Sequence, residues 1–232
     1  MTRADPQPVY RPHTAADELG ARLRTRLLEG GFTPGETISI RRVAEAEGVS
    51  VIPARDALRG LVAEGALEFR DARTIAVPAP DPATLGQLRY ARLSVEGELA
   101  HRAWPCLVKR TAELEEIDAG VTRALLDRDV AAYMRTNRAL HFAIYERAKA
   151  PILFALAERL WLLYAPGMRI VCEAFDGQLP GSDHHVEAIA ALRAGDRAAF
   201  RAAVEADIAQ GMDTLLEHVR TTAPNAQERG DP

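Results

Sequence analysis

The chain has 232 residues, 47% of them hydrophobic and 27% charged, with a formal net charge of −4 at pH 7; the length suits two domains, and the balance excludes fibrous and broadly disordered classes. The charge is unevenly spread: residues 1–80 hold 11 Arg, no Lys and 11 Asp or Glu, so the whole deficit lies in residues 81–232. Charge balance alone therefore does not point to nucleic acid.

Residues 1–13 hold three prolines and no periodicity, which reads as a flexible arm. From Thr14 a helical pattern places Leu19, Leu23, Leu27 and Leu28 on one stripe and closes at Glu29 and Gly30. Gly30-Gly31-Phe32-Thr33-Pro34-Gly35 is a turn by composition. A short helix follows over Ile40 to Glu47, with Ser39 as its cap and Gly48 as its end. Ser50 then reads as the N-cap of a helix through Glu64, whose apolar stripe is Ala54, Ala57, Leu58 and Leu61. Two short strands, 66–70 and 74–77, flank Asp71-Ala72-Arg73. Three helices and a two-stranded wing over residues 14–78 are the order of a winged helix-turn-helix.

Residues 79–82 form a proline-rich linker, in which Asp81 and Pro82 make an N-cap and N1 pair. Beyond it the pattern is helical only, with predicted spans 82–103, 109–127, 129–149, 151–176, 183–194 and 196–219. Six amphipathic helices define an all-α bundle over residues 83–220, so the fold class is mostly α. The tail, 221–232, is polar and expected to be disordered. Cys106 and Cys172 show no metal-finger spacing and read as reduced, buried thiols. No stretch reaches the ~20 apolar residues that span a bilayer, and the N-terminal segment lacks the apolar core of a signal peptide, so a cytoplasmic protein without membrane contact is expected.

The segment from Pro34 to Leu67 resembles the signature of the GntR family of bacterial transcription regulators. The matching positions are Pro34-Gly35, Val43-Ala44, Gly48-Val49-Ser50, Pro53-Ala54-Arg55-Asp56-Ala57-Leu58 and Gly65. The resemblance implies that the helix after Ser50 reads operator DNA. Arg55, one turn in, is placed to take guanine O6 and N7 in the major groove; a pair with Asp56 or Glu64 is the competing role. Ser50 heads a helix whose amides can face a phosphate. Arg41, Arg42 and Arg59 are further candidate DNA contacts, and Arg70 and Arg73 flank the wing, within reach of backbone or minor groove. In two places the chain departs from the family: Val51 stands where Arg is usual, and the wing lacks its common glycine. Contact of Val51 or Ile52 with thymine methyls is the readout these departures suggest.

Residues from about 82 to 219 resemble the helical FCD sensor domain of one branch of that family, anchored by Arg92-Leu93-Ser94-Val95-Glu96, Asn137-Arg138-Ala139-Leu140-His141, and His185 leading into Ala191–Asp196. Many such domains hold a divalent metal with one Asp and three His. Carried over by position, that set becomes Asn137, His141, His185 and Asp207. The spacing of four puts Asn137 and His141 on one helical face, and the donors suit a borderline ion such as Zn, Ni or Mn. The alternative is a polar bundle interior without metal. Arg92 matches a position where the family often turns an arginine into the cavity; its two roles are a bidentate grip on a carboxylate effector and an i,i+4 surface pair with Glu96. Arg138 and Arg169 are further candidate effector contacts, whereas Tyr133, Trp161 and Tyr164 read as core.

The resulting expectation is a homodimeric, non-enzymatic regulator, a repressor, that binds a palindromic operator and senses a small organic acid, with the Pro78–Pro82 linker as the place of movement. The rival readings are a regulator whose helical domain only dimerises, without metal, and a helical metalloenzyme.

Overall fold

The computed structural model describes residues 14–71, 74–178, 181 and 183–222. The arm at 1–13, the wing residues Ala72 and Arg73, and the tail from 223 lie outside the described residues. The head begins with α1 (Ala15–Leu28), whose first turn is closed by a reciprocal cap: Thr14 Oγ1 accepts from the Asp17 amide, and Asp17 accepts from the Thr14 amide. Leu19, Leu23 and Leu27 turn inward at helical spacing. α2 (Ile40–Ala46) and α3 (Val51–Ala63) follow, and the Ser39 side chain caps α2 as expected. Ser50 holds the N-cap position of α3, but its side chain makes no cap bond, so the opening amides of α3 lack that partner.

The wing differs from the two-strand expectation. β1 (Thr37–Ile38), β2 (Glu68–Phe69) and β3 (Ile75–Ala76) form one antiparallel sheet in the order β1-β3-β2, with Ile38 and Phe69 both registered on Ile75. Strands of two residues are too short for alternation to reveal. Arg70 belongs to this scaffold: its guanidinium donates to the Gly35 carbonyl at 3.1 Å.

Asp81 accepts from the amides of Ala83 and Thr84 and starts α4 (Pro82–Leu107). The sensor bundle continues with α5 (Thr111–Leu126), α6 (Val130–Tyr145), a 3-10 turn (Glu146–Ala148), α7 (Pro151–Phe175), α8 (His184–Ala194) and α9 (Arg197–Thr222). Thr221 and Thr222, expected in the tail, are the last turn of α9. Cys172 is buried, but Cys106 is only half-buried.

The two cores meet on α7. Leu162 is buried among the head's apolar residues, while Trp161 and Tyr164 on either side of it are buried in the sensor core. Two further contacts fix the junction. Arg169 Nη1 donates to the Gly30 carbonyl at 3.2 Å. Gly30 itself has φ +74°, and a Cβ there would lie 2.5 Å from Met134 Sδ on α6, so only glycine fits both the turn and the contact. Because Leu162 fills a closed apolar site, Leu162→Ala should lower stability by about 2–5 kcal/mol in urea unfolding; a loss below about 1 kcal/mol would mean that the head does not rest on α7.

Candidate sensor cavity and nucleic-acid interface

The sensor site is built from four helices. α6 carries Asn137 and His141 one turn apart, α8 contributes His185 from its first turn, α9 contributes Asp207, and α5 contributes Asp118. His141 Nε2 lies 3.0 Å from Asp207 Oδ2, and His185 Nε2 lies 3.3 Å from Asp207 Oδ1. The other ring nitrogens are held from outside: His185 Nδ1 by Asp118 at 3.0 Å and His141 Nδ1 by the Tyr145 hydroxyl at 3.0 Å. Burial opposes charge on His185, but Asp207 and Asp118 outweigh it and push the imidazolium up to about 10. Burial would raise Asp207, yet His185 and His141 hold its carboxyl well below the usual range.

A metal ion fits this donor set. One ligand atom each from His141, His185 and Asp207 lies within 4.8 Å of the other two, close enough for small side-chain shifts to bring all three onto one ion with bonds of about 2.0–2.2 Å. His185 Nε2 is buried and faces only Asp207 Oδ1, at 3.3 Å and without a well-formed hydrogen bond, so an ion there would take the place of the proton between them. Asn137 is buried on the same cavity wall, with its amide nitrogen 3.8 Å from Met168 Sδ. The cavity is about 60 Å³, several times the ~10–15 Å³ that one water needs, and it is also bordered by Arg92, Tyr133, Tyr164 and Gln210.

Arg92 faces the cavity, yet its carboxylate partner is internal. Glu96 takes Arg92 Nε at 2.7 Å and Nη2 at 3.1 Å, and the pair is 2% and 0% exposed. The i,i+4 pair exists, then, but in the core and not on a helix surface. Burial works against the guanidinium's charge, and Glu96 overcomes it and raises it above its ordinary value. The guanidinium lies against the Trp161 and Tyr164 rings, 4.9 and 4.2 Å from their centroids. Arg138 and Arg169 do not reach the cavity, which corrects their assignment as effector contacts. Arg138 lies over the Phe142 ring at 4.0 Å, and Arg169 is committed to Gly30 and to Glu173.

Glu96, Asp118 and Tyr145 were missed as site residues. A signal existed for the two acids. Asp118 shares the inward stripe of α5 with Leu114, Val121 and Leu125, and Glu96 shares that of α4 with Leu88 and Leu99. A carboxylate on an apolar stripe must find a partner inside.

On the head, Arg41, Arg42, Val51, Arg55 and Arg59 line one groove between α2, α3 and the wing. All four arginines are exposed, and none of their side chains has an ion pair among the described residues. Glu64, the competing partner of Arg55, is paired with Arg24 instead. Ile52 is 71% exposed at the start of α3. Arg73 lies outside the described residues.

A winged helix-turn-helix head seated on an all-helical bundle with a histidine–carboxylate cavity defines the class of a bacterial transcription regulator. Residues 15–77 match the family described as bacterial regulatory proteins, gntR family, and residues 87–210 match the FCD domain. The chain belongs to the GntR family and carries an FCD domain; it is a transcription regulator and not an enzyme. It is 30% identical over 185 residues to the HTH-type transcriptional regulator McbR of Escherichia coli (strain K12), covering 77% of this chain and 82% of that one. The solved structure of E. coli McbR/YncC superposes with a TM-score of 0.77 at 25% identity, covering 89% of this chain and 99% of that one. A GntR transcriptional regulator from Rhodococcus sp. RHA1 shares the fold, with a TM-score of 0.73 at 20% identity over 87% of this chain and 97% of that one. Among the described residues no helix is long and apolar enough to cross a membrane.

Because Arg92 and Glu96 are buried together, Glu96→Ala should cost about 3–5 kcal/mol in urea unfolding, whereas the double replacement Arg92→Met with Glu96→Leu should cost less than Glu96→Ala alone. A double variant as unstable as the single one would show that the loss is set by packing and by the orphaned Trp161 and Tyr145 donors, not by an unpaired guanidinium.

Proposed function

We propose that the protein is a homodimeric repressor whose two α3 helices enter the major groove on successive halves of a palindromic operator, and whose helical domain senses a small organic acid at a divalent metal ion. On the DNA side the support is the groove itself, with four exposed arginines and no competing ion pair among the described residues. Arg55 is assigned to guanine, and Arg41, Arg42 and Arg59 to phosphates. Ser50 and the open amides at the start of α3 face a phosphate, Val51 and Ile52 meet thymine methyls, and Arg73 at the wing keeps the minor groove.

On the sensing side, the observation that carries the reading is the convergence of His141 Nε2 and His185 Nε2 on Asp207, with both Nδ1 atoms tied away from the cavity. Asn137 adds a neutral oxygen donor from the same wall. A bound Zn, Ni or Mn ion would supply a Lewis-acidic centre with positions left for a carboxylate. Arg92 then acts as a wall of the cavity and as part of its field, since Glu96 already occupies two of its donors. The ion, rather than a bare guanidinium, provides the attraction for an acid. Ligand binding re-aims the heads by shifting a two-state equilibrium. One observation favours the metal-free, dimerisation-only alternative: Asp207 and the two imidazoles already pair with one another.

Elemental analysis separates the two. About one divalent ion per chain is expected in purified wild type, absent in His141→Ala; no ion after reconstitution of wild type would remove metal-dependent sensing and leave the DNA-binding assignment standing. On DNA selected by the protein from a random pool, Arg55→Ala should lose about 1–3 kcal/mol of affinity and relax the preference at one base position. Arg59→Ala should weaken all sequences alike; an Arg55→Ala loss uniform across sequences would rule out base reading.

A further inference from the structure

Glu96 is fully buried on α4 and accepts four hydrogen bonds. Its Oε1 takes Arg92 Nε, and its Oε2 takes Arg92 Nη2, Trp161 Nε1 at 2.9 Å and the Tyr145 hydroxyl at 2.7 Å. A carboxylate engaged in this way only accepts, and guanidinium and indole only donate. The Tyr145 proton therefore lies toward Glu96. What remains on the Tyr145 oxygen is acceptor capacity, and the group 3.0 Å away is His141 Nδ1.

We infer that Tyr145, fixed by Glu96 and Arg92, is a positioning residue that holds His141 with its proton on Nδ1 and thereby aims the Nε2 lone pair at the ion site. Asp118 does the same for His185 directly. The two histidines thus reach one tautomer by different routes, one through a carboxylate and one through a phenol backed by a carboxylate and a guanidinium. Hydrogen-bonded partners on the far nitrogen of a metal-bound histidine fix its ring and raise its basicity, and losing one typically weakens metal binding about 10–100-fold. With the Nδ1 proton donated to Tyr145, His141 Nε2, 3.0 Å from an Asp207 oxygen, is bridged to it by a second proton or, in the metal-loaded site, by the ion.

The inference rests on the proposed metal site, and the test separates the two. The affinity of the full chain for Zn²⁺ alone is measured by competition with a chromophoric chelator, for wild type and for Tyr145→Phe, which keeps the ring and deletes the hydroxyl. The melting temperature of each chelator-treated protein is recorded alongside. The expected result is a 10–100-fold weaker Zn²⁺ affinity in a folded variant. Equal affinities with only a lower melting temperature would reduce Tyr145 to a structural residue and overturn the inference while leaving the metal site intact. No Zn²⁺ uptake by wild type would overturn both. Should Tyr145→Phe fail to fold, long-range ¹H–¹⁵N spectra of Zn²⁺-loaded wild type decide: a proton on His141 Nδ1 with zinc at Nε2 is expected, and zinc at Nδ1 overturns the inference.

Discussion

A single helix serves two cores, and the placement of everything else follows from that. α7 buries Leu162 in the head and the adjacent Trp161 and Tyr164 in the bundle. Neighbouring residues on a helix point about 100° apart, so a segment apolar on both sides must be covered on both sides. The head therefore cannot pivot freely about the proline-rich segment before α4 while α7 stays still, because doing so would draw Leu162 out of a closed site. Pro166 sits one turn further along and removes the bond that would reach back to the Leu162 carbonyl. The helix is thus weakest in its own hydrogen bonding where it passes from one core to the other. Packed interfaces of this kind move between discrete arrangements and do not deform continuously.

The interior of the bundle spends stability on polarity. Arg92, Glu96, Asp118, Asn137 and His141 are all buried, and a well-packed apolar set of the same volume would often be as stable or more so. What keeps the arrangement from being ruinous is the degree of pairing. Glu96 accepts from three different residues, Asp118 holds His185, and Asp207 faces both imidazoles. A network this complete fixes rotamers as well as charges. The loosest of these contacts is His185 Nε2 against Asp207 Oδ1 at 3.3 Å, and the proposed ion site lies there.

Legibility in the sequence followed the range of the physics. The helices were readable because apolar spacing is a local property: Leu19, Leu23 and Leu27 in α1 and Ala54, Ala57, Leu58 and Leu61 in α3 are buried as their period requires. β1 was not, since two residues carry no period and only the partner β3 makes them a strand. The spacing of Arg92 and Glu96 disclosed their pairing but not its depth, because the same i,i+4 geometry serves surface and core. Of the partners of the two histidines, Tyr145 stands one turn after His141 on α6 and Asp118 lies on the apolar stripe of α5. The local pattern marks both as inward, but only the packing of α5 against α8 shows which imidazole Asp118 meets. Arg138 and Arg169 show the converse error: an arginine near a motif faces wherever its helix turns it, here onto Phe142 and onto Gly30.

The same distinction resolves the neutral charge of the head. Equal numbers of acids and arginines leave no net attraction for DNA when summed, yet their uses differ. Glu47 is spent on Arg22 and Glu64 on Arg24. Asp17, Glu36 and Asp71 accept from the backbone amides of Thr14, Thr33 and Thr74. Acids held in caps and in pairs with other arginines enter the count without forming ion pairs, among the described residues, to Arg41, Arg42, Arg55 or Arg59, which stand exposed along the groove. Field at short range depends on where charge lies, within a Debye length of about 8–10 Å at physiological salt. A domain of zero net charge can for that reason present a cationic face to a phosphate backbone.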